Sequence, residues 1–448
     1  MDFGFLKVLS LKDYKRKRIS GQGNEITAKA EQTVKKILAD IKERGEEAVV
    51  EYASRYDVCK PESFSQIRVG SQKIKHAYKY IRDKYPDLVD AIELCIENIN
   101  YYHREQLKNE GGSWFVSPRE GKKIGQLVNP LERVGIYVPG GRYPYPSSLL
   151  MGAIPAKIAG VPEIAVCSPQ QSEGEASKVF LYACCRLNIE EVYNLGGAQA
   201  IGLLAYGAGG VKKVDKIVGP GNIYVTAAKK EVFGVTGIDS LAGPSEIVII
   251  ADESAREDFV AADLISQAEH DPDASVILLS KSRRLAEKVV DCLKKQIQSL
   301  HIKYEQNAHT AYQSLKNNCS IVFGPEMAGL VKVSNQIAPE HLEIIARKPD
   351  QVLKMVKNAG AIFVGNYTPV ALGDYIGGTN HVIPTAGNAR FASPLGVYDF
   401  LKKSSVLSYD RETLARERKY VEQFSAFENL HGHRRSITIR FGDKKDED

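Results

Sequence analysis

The stretch Val134-Gly-Ile-Tyr-Val-Pro-Gly-Gly141 decides the fold class of this chain. It is a short run of apolar residues with high strand propensity that ends in a proline and two glycines, so it predicts a buried strand followed by a tight turn. Helical and strand patterns then alternate along the chain: helix 147–159, strand 163–167, helix 175–187, strand 191–195 and helix 198–206. Because this alternation is typical of a parallel sheet with right-handed crossovers, we expect an α/β fold.

A second segment of the same style begins at Ser245, with strand 247–251, helix 255–269 and strand 275–279. The simplest interpretation is two α/β domains. We expect a tail that is mainly helical, with a strand at 436–441 and a charged, disordered end at 442–448. The predicted boundaries are 1–32 for an N-terminal arm, 33–134 with 245–390 for one α/β domain, 135–244 for the other, and 391–448 for the tail.

The composition is that of an ordinary globular protein and argues against several classes of function. The 448-residue chain is 43% hydrophobic and 26% charged, and its net charge of +5 is spread out, which does not indicate binding to nucleic acid or to membranes. The seven cysteines include no Cys-x-x-Cys pair, so a zinc ribbon, a thioredoxin motif and a disulfide framework are not expected. Without a secretory signal pattern or an apolar run of about 18 residues, the chain is predicted to be cytoplasmic.

Three glycine-rich turns are expected to follow strands of the first sheet. In open α/β sheets such turns lie where ligands bind, and the helix N-termini there offer free N–H groups to phosphate. None of the turns matches the Gly-x-Gly-x-x-Gly fingerprint of dinucleotide binding. They therefore predict either a nucleotide or other phosphate ligand, or only the tight turns of a packed sheet. The turns are Pro139-Gly140-Gly141, Gly196-Gly197-Ala198-Gln199 and Gly219-Pro220-Gly221-Asn222.

The predicted helix 255–269 closes with Ser266-Gln267-Ala268-Glu269-His270. Residues three apart share one face of a helix, so the amide oxygen of Gln267 and the imidazole of His270 can reach a single point. Both groups suit half of a metal site. The alternative is a packed or solvated helix face.

Glu340 and His341 lie in a predicted rigid turn just before a strand. They can serve as a general acid and base, and the alternative is a capping glutamate beside an exposed histidine. The glycine-rich loop 373–385 carries Asp374 and His381, and loops of this kind on a rigid scaffold commonly carry sites.

The last candidate segment is Glu428-Asn-Leu-His431-Gly-His433, in which one or both histidines can chelate a metal. Five of the nine histidines of the chain fall in these candidate segments. Such clustering indicates a metal-dependent enzyme.

Several longer motifs, in their order along the chain, resemble the histidinol dehydrogenase family. The resemblance covers about residues 30–440. The motifs are Gly135-Ile-Tyr-Val-Pro-Gly-Gly141, Gly219-Pro-Gly-Asn-Ile-Tyr-Val225, Ala242-Gly-Pro-Ser-Glu246, Ser266-Gln-Ala-Glu-His270, Ala338-Pro-Glu-His-Leu342, and Gly373-Asp-Tyr with Asn380-His-Val-Ile-Pro-Thr385.

The resemblance implies two incomplete Rossmann-like domains with parallel sheets, a helical N-terminal arm, and a C-terminal tail that mediates dimerisation. It implies one zinc ion per subunit, held by Gln267, His270, Asp374 and His433, with the last ligand supplied by the partner subunit of a homodimer. The family's tail pattern is Glu-Gly-Leu-x-Ala-His. Because the corresponding residues here are Glu428-Asn-Leu-His-Gly-His433, the zinc ligand aligns with His433 rather than His431.

The resemblance further implies the NAD-dependent oxidation of L-histidinol to L-histidine through L-histidinaldehyde, the last step of histidine biosynthesis. His341 would take a proton in each oxidation, and Glu340 would activate the water that hydrates the aldehyde. Domain 135–244 would bind NAD through Tyr137, Gln199 and Asn222. The substrate pocket would comprise Ser245, Gln267, His270, His341, Asp374, His381, Glu428 and His433.

Three alternatives remain at the level of sequence. A related zinc- and NAD-dependent dehydrogenase of the sulfopropanediol type would share the acid-base pair. Its sulfonate substrate would require a basic group in place of Glu428. A zinc hydrolase would leave the glycine turns without a role. A non-catalytic binding protein would not need the acid-base residues.

Overall fold

The structure is a computed structural model that describes residues 2–19, 28–140, 145–169 and 174–442. The chain divides into two compact units. The first comprises Met1–Leu107 with Leu131–Phe400, and the second comprises Lys108–Pro130 with Leu401–Asp448.

The described residues form parallel sheets in the first unit and an antiparallel sheet in the second. The strands are β1 (Val8–Ser10), β2 (Trp114–Arg119), β3 (Lys122–Pro130), β4 (Arg133–Tyr137), β5 (Glu163–Cys167), β6 (Glu191–Tyr193), β7 (Lys216–Val218), β8 (Gly237–Ile238), β9 (Glu246–Ala251), β10 (Ser275–Ser280), β11 (Cys319–Phe323), β12 (His341–Ile345), β13 (Ala361–Val364) and β14 (Leu401–Tyr409).

Helices connect most of these strands. They are α1 (Leu11–Ile19), α2 (Ala28–Arg44), α3 (Glu46–Tyr56), α4 (Phe64–Ile67), α5 (Ser71–Lys84), α6 (Pro86–Glu110), α7 (Pro146–Ala159), α8 (Glu175–Arg186), α9 (Gly197–Tyr206), α10 (Ile223–Val232), α11 (Glu257–Ala268), α12 (Arg283–Lys303), α13 (Glu305–Asn318), α14 (Met327–Ile337), α15 (Pro349–Leu353), α16 (Val370–Asp374), α17 (Arg411–Phe427) and α18 (His431–Thr438). Short 3-10 helices lie at Asn388–Arg390, Val397–Phe400 and Ile439–Phe441.

The larger sheet of the first unit has six strands in the order β1-β11-β10-β9-β12-β13, and every pairing in it is parallel. The central strand β9 is fully buried from Ile247 to Ala251, which is the continuous apolar pattern of a strand with helices on both faces. Apolar clusters pack on each face of this sheet and fix the strands that carry the candidate site.

The second sheet of this unit has five parallel strands in the order β6-β5-β4-β7-β8. Helices α2 and α3 pack against α9, and one apolar cluster joins all three to this sheet. We expected residues 33–134 to belong with the other α/β domain, but the stripe of Val34, Ile37, Leu38 and Ile41 is buried in the cluster of the five-stranded sheet. The finer domain boundaries at 135–244 and 245–390 stay a prediction.

The second unit contains the antiparallel sheet β14-β3-β2 and the helices α17 and α18. The expected strand at 436–441 is wrong, since these residues continue α18 and then form a 3-10 helix. Strand β14 is a second correction, because the sequence pattern predicts a helix for this part of the tail. A disordered end was predicted for residues 442–448, and residues 443–448 of it lie outside the described residues.

The mixed α/β class with parallel sheets is confirmed. The N-terminal arm is helical over Leu11–Ile19, but it also contributes an edge strand, because Val8–Ser10 pairs with Ile321–Phe323. Residues 20–27 of the predicted arm are not among the described residues.

Candidate active site

A cavity of about 750 Å³ in the first unit collects most of the predicted site residues. The five-stranded sheet contributes the segments that follow its strands, at Pro139 after β4 and at Gly219 after β7. The six-stranded sheet contributes the beginnings of its strands, since Ser245 precedes β9 and His341 opens β12. Eight predicted site residues line the cavity: Asn222, Ser245, Gln267, His270, Glu340, His341, Asp374 and His381.

The position of Glu340 and His341 follows from how α14 ends. Ala338 adopts a left-handed conformation with φ 52°, which closes the helix, and Pro339 prevents its continuation. The chain then enters β12 with both side chains buried against the backbone of Glu246. The Glu246 N–H donates to Oε2 of Glu340 at 2.8 Å, and Nδ1 of His341 lies 3.1 Å from the Glu246 carbonyl oxygen.

These contacts settle the tautomer of His341. A carbonyl oxygen only accepts, so Nδ1 carries the proton, and Nε2 is left as the acceptor. Burial lowers the pKa of His341 to about 4 despite the nearby Asp374 carboxylate, so the ring is neutral near pH 7. A neutral imidazole with an unprotonated Nε2 is suited to act as a general base.

Glu340 is also neutral in this environment. Burial raises the pKa of its carboxyl well above the ordinary value, and the neighbouring charges of Glu246 and Asp374 raise it further, while the Glu246 N–H opposes the shift. Its Oε2 is 3.5 Å from Nδ1 of His341. Because both groups are neutral, this contact is not an ion pair.

His381 is held by two contacts and occupies the same cavity. Its Nδ1 donates to the Asp374 carbonyl oxygen at 3.0 Å, and its Nε2 lies 3.2 Å from Oγ of Ser148. Burial lowers the pKa of His381, so it is a neutral ring that accepts from Ser148. The loop that follows Asp374 is tied to α6, where the Cys95 thiol donates to the Tyr375 carbonyl oxygen at 2.7 Å.

Gln267, His270 and Asp374 supply an amide oxygen, an imidazole and a carboxylate to the cavity. Oε1 of Gln267 is buried and has no hydrogen-bond donor among the described residues. A buried oxygen without a donor costs free energy, and a cation would satisfy it. The helical-face prediction is partly wrong, since α11 ends at Ala268 and His270 lies in the turn beyond it, where its N–H donates to the Gln267 carbonyl oxygen at 3.3 Å.

The donor set fits zinc, which takes nitrogen and oxygen ligands of these types. Within the described residues, no group of three or more histidine, cysteine, aspartate or glutamate side chains that could hold a metal is assembled.

The turn at Gly219–Asn222 forms another wall of the cavity. Gly219 has φ +113°, and a methyl group at its Cα would overlap the Tyr137 carbonyl oxygen, so the position requires glycine. Asn222 caps α10, because its Oδ1 accepts from the N–H groups of Tyr224 and Val225 at 3.0 and 3.2 Å.

A buried ion pair fixes the same turn from behind. Lys229 on α10 bonds Asp239, and its Nζ also donates to the Gly219 carbonyl oxygen at 3.0 Å. Asp239 in turn accepts from the Gly219 N–H at 2.8 Å. Both polar groups of Gly219 are therefore held by one pair of charges.

The other predicted NAD contacts lie at a different turn. Tyr137 and Gln199 are buried and do not line the cavity. The Gly197 N–H donates to the Tyr137 hydroxyl at 3.2 Å, and the carboxylate of Asp57 accepts from the Gly196 N–H and from Gln199 at 3.2 and 3.4 Å. The turn at 139–141 is described only to Gly140, since Gly141 lies outside the described residues.

Comparison with known proteins identifies the family to which this chain is related. The profile of the histidinol dehydrogenase family matches residues 21–441. The chain belongs to the histidinol dehydrogenase family. The histidinol dehydrogenase of Clostridium acetobutylicum is 43% identical over 420 residues, which cover 94% of each chain. That of Bacillus licheniformis is 44% identical over 424 residues, which cover 95% of this chain and 96% of the relative.

A solved structure agrees with these relatives. The crystal structure of histidinol dehydrogenase from Elizabethkingia anophelis matches with a TM-score of 0.87 and 32% identity, covering 97% of this chain and 96% of that chain. The predicted family is thus confirmed, and with it an oxidoreductase of histidine biosynthesis. Among the described residues, no helix is long and apolar enough to cross a membrane.

Two residues expected from the histidinol dehydrogenase pattern, Glu428 and His433, lie in the second unit and are exposed there. Asn429 adopts φ 58°, a left-handed conformation that asparagine tolerates better than most residues. His431 places Nε2 3.0 Å from Oδ1 of Asn429.

Sequence reasoning missed several residues that build this site. In the sequence Glu246 is only the last residue of a motif, yet its backbone holds both acid-base side chains. Ser148, Asp57 and the pair of Lys229 with Asp239 carried no signal, because their contacts join segments that are far apart or buried.

Proposed function

We propose that this chain oxidises L-histidinol to L-histidine in two NAD-dependent steps, through L-histidinaldehyde. The observation that carries the proposal is the juxtaposition, in one cavity, of the neutral pair Glu340 and His341 with the oxygen and nitrogen donors of Gln267, His270 and Asp374. An alcohol oxidation needs a base for the hydroxyl proton and a means of holding the substrate.

In the first oxidation, Nε2 of His341 accepts the hydroxyl proton of the substrate while the carbon-bound hydrogen leaves as hydride to NAD. The aldehyde then adds water, and Glu340 in its ionised form takes a proton from that water. As water adds, the protonated His341 gives its proton to the former aldehyde oxygen, which completes the hydrate and restores the neutral ring. In the second oxidation, His341 accepts a hydroxyl proton from this hydrate as the second hydride leaves to a second NAD. The products are the carboxylate of histidine and two NADH.

Glu340 must lose its own proton before it can act as a base. Its pKa is raised by burial and by the neighbouring carboxylates of Glu246 and Asp374. A positive charge in the cavity stabilises the carboxylate and lowers this pKa, so the loaded site favours the ionised form.

We propose zinc as the resident metal, held by Gln267, His270, Asp374 and His433 of the partner subunit. When bound, it supplies a template that orients the imidazole and amine of the substrate. The contact of His431 with Asn429 leaves His433 as the residue of the tail that we assign to the metal. Glu428 suits the cationic amine of histidinol, with Ser245 and His381 completing the pocket.

NAD is proposed to bind along the five-stranded sheet, with Asn222 at the cavity. Tyr137 and Gln199 are buried, so we propose that they support the glycine turn at Gly196–Gly197. This role still ties them to the cofactor site, because that turn begins α9.

A homodimer is proposed from the surface of the second unit. Among its described residues, only Thr413 and Ser425 are buried, and both are polar. Leu407, Phe424 and Phe427 are 66%, 70% and 92% exposed. A unit without an apolar core of its own needs a partner surface, and a second copy of this chain would also supply the fourth ligand. We propose a cytoplasmic location for this biosynthetic enzyme, without nucleic-acid or membrane partners.

The direct test is an assay of NADH formation with L-histidinol. We expect activity that a chelator abolishes and that zinc restores, with two NADH formed per histidine. No NADH in the presence of zinc, NAD and histidinol would reject the proposed function.

A mixing experiment tests the shared site. Chains with Glu340→Ala and chains with His433→Ala are expected to be inactive alone. In a mixed dimer one of the two sites receives both intact residues, so part of the activity returns. Mixed dimers that form but stay inactive would contradict a site shared between subunits.

A further inference from the structure

A pair of carboxyl groups lies beneath the active site and joins three elements that carry it. Glu343 is on β12, two residues after His341, so both side chains project from the same face of the strand. Its neighbours in register are Ile249 on β9 and Phe363 on β13. Glu343 is therefore a carboxyl group within an apolar layer of the core.

The first oxygen of Glu343 supports the helix that ends at Asp374. Its Oε1 accepts from the Val370 N–H at 3.0 Å, and Val370 is the first residue of α16. Because α16 spans only Val370–Asp374, a constraint on its first residue also constrains its last.

The second oxygen of Glu343, Oε2, is buried and has no N–H donor among the described residues. The carboxyl group of Asp263 is the hydrogen-bonding partner of the Glu343 carboxyl group. Two carboxyl groups can bond in this way only if they share a proton. Burial raises the pKa of Asp263 to about 6, and burial together with Asp263 raises the pKa of Glu343, so the pair retains a proton near neutrality.

Asp263 belongs to α11 and lies one helical turn before Gln267, on the same face. We propose that the Asp263–Glu343 pair is a positioning pair, which holds α11 and α16 against β12 so that Gln267 and Asp374 meet at one metal. The inference rests on the proposed function, since it assigns the pair to the geometry of the proposed zinc site. Neither residue touches the substrate in this scheme.

The test uses two substitutions of the same length at one position. Glu343→Gln can donate to Asp263 and accept from Val370, as the protonated carboxyl does, so it is expected to keep the zinc affinity and the kinetic constants of the parent protein. Glu343→Met can do neither. We expect it to weaken zinc binding about 10–100-fold, measured in the full-length protein by competition with a chromogenic chelator, and to raise the KM for histidinol more than it lowers kcat.

A second variant covers the case in which Glu343→Met does not fold. Asp263 is only partly buried, so Asp263→Ala is expected to fold and to weaken zinc binding in the same direction. The matched control is Asp258→Ala at the exposed start of the same helix, which is expected to leave zinc affinity unchanged.

The outcomes separate this inference from the proposed function. If the parent protein binds no zinc, the proposed function fails. Suppose instead that the parent binds zinc and that the folded variants, Asp263→Ala and Glu343→Met, bind it equally well. The pair then serves only the core and the inference is overturned. A lower unfolding midpoint of the metal-free variants would not rescue it.

Discussion

The buried ion pair of Lys229 and Asp239 gives a quantitative test of how the Gly219 turn is held. The two side chains are 2% and 5% exposed, and between them they bond both polar groups of Gly219. Replacing Lys229 with methionine removes the positive charge and leaves the Asp239 carboxylate buried without a counter-charge. We expect Lys229→Met to lower the free energy of unfolding by about 3–5 kcal/mol.

The measurement is guanidinium unfolding of the metal-free protein, followed by circular dichroism. The matched control is Lys230→Met, which makes the same chemical change at the next residue of α10. Lys230 pairs with Glu31 at the surface, where solvent screens the interaction, so its loss is expected to be far smaller.

A double variant separates the charge from the packing. Lys229→Met combined with Asp239→Leu removes both charges and is expected to regain part of the stability, leaving a deficit of about 1–3 kcal/mol for each of the Gly219 N–H and carbonyl groups that lose their partners. The reasoning is refuted if Lys229→Met costs no more than Lys230→Met, or if the two single losses simply add in the double variant.

Two further predictions concern the same wall and the acid-base pair. Because the folded-state pKa of His341 is about 4, below its ordinary 6.5, its contribution to stability is present above pH 6.5 and is lost as the pH falls towards 4, by roughly 3 kcal/mol in all. The free energy of unfolding of the metal-free protein, measured at pH 7.5 and 5.0, should therefore depend less on pH in His341→Gln than in the parent. The control His301→Gln, at an exposed position, should match the parent. An equal pH dependence in all three proteins would contradict the lowered pKa of His341. Gly219→Ala should lower the unfolding midpoint more than Gly210→Ala, since both positions have positive φ but only the methyl group at 219 would overlap the Tyr137 carbonyl oxygen; equal losses would show that backbone strain alone sets the cost.

The sequence predicted the parallel sheets because their central strands are buried and mainly apolar. Val134–Tyr137 and Ile247–Ala251 are short continuous runs of strand formers, and the structure places both at the centre of a sheet. The exposed strands of the second unit lacked such a signal. All residues of Trp114–Arg119 are exposed, so no alternation of apolar and polar residues marked that strand, and Leu401–Tyr409 was expected to be helical.

The candidate site was predictable where one short segment carries adjacent chemistry. Glu340 with His341 and Gln267 with His270 are such segments, and both line the cavity. The groups that set their properties were not predictable, because they come from elsewhere in the chain. Glu246 is 94 residues from Glu340, and nothing in a linear pattern indicates that its N–H and carbonyl would meet the acid-base pair.

The electrostatic state of the cavity indicates how one pair of side chains can serve two kinds of proton transfer. Burial keeps both His341 and Glu340 uncharged, so His341 is a base in the resting site whereas Glu340 is not. A cation in the cavity lowers the pKa of both groups. It thereby makes the Glu340 carboxylate available as a base and makes the protonated form of His341 less favourable. Under the proposed function, a bound metal and the cationic substrate would together make Glu340 a competent base for the hydration step, while the carboxylates of Asp374 and Glu340 would offset the cost of charging His341. His341 and Glu340 then have different roles because their charge states differ. Their positions alone do not separate these roles, because Nδ1 of His341 and Oε2 of Glu340 lie only 3.5 Å apart.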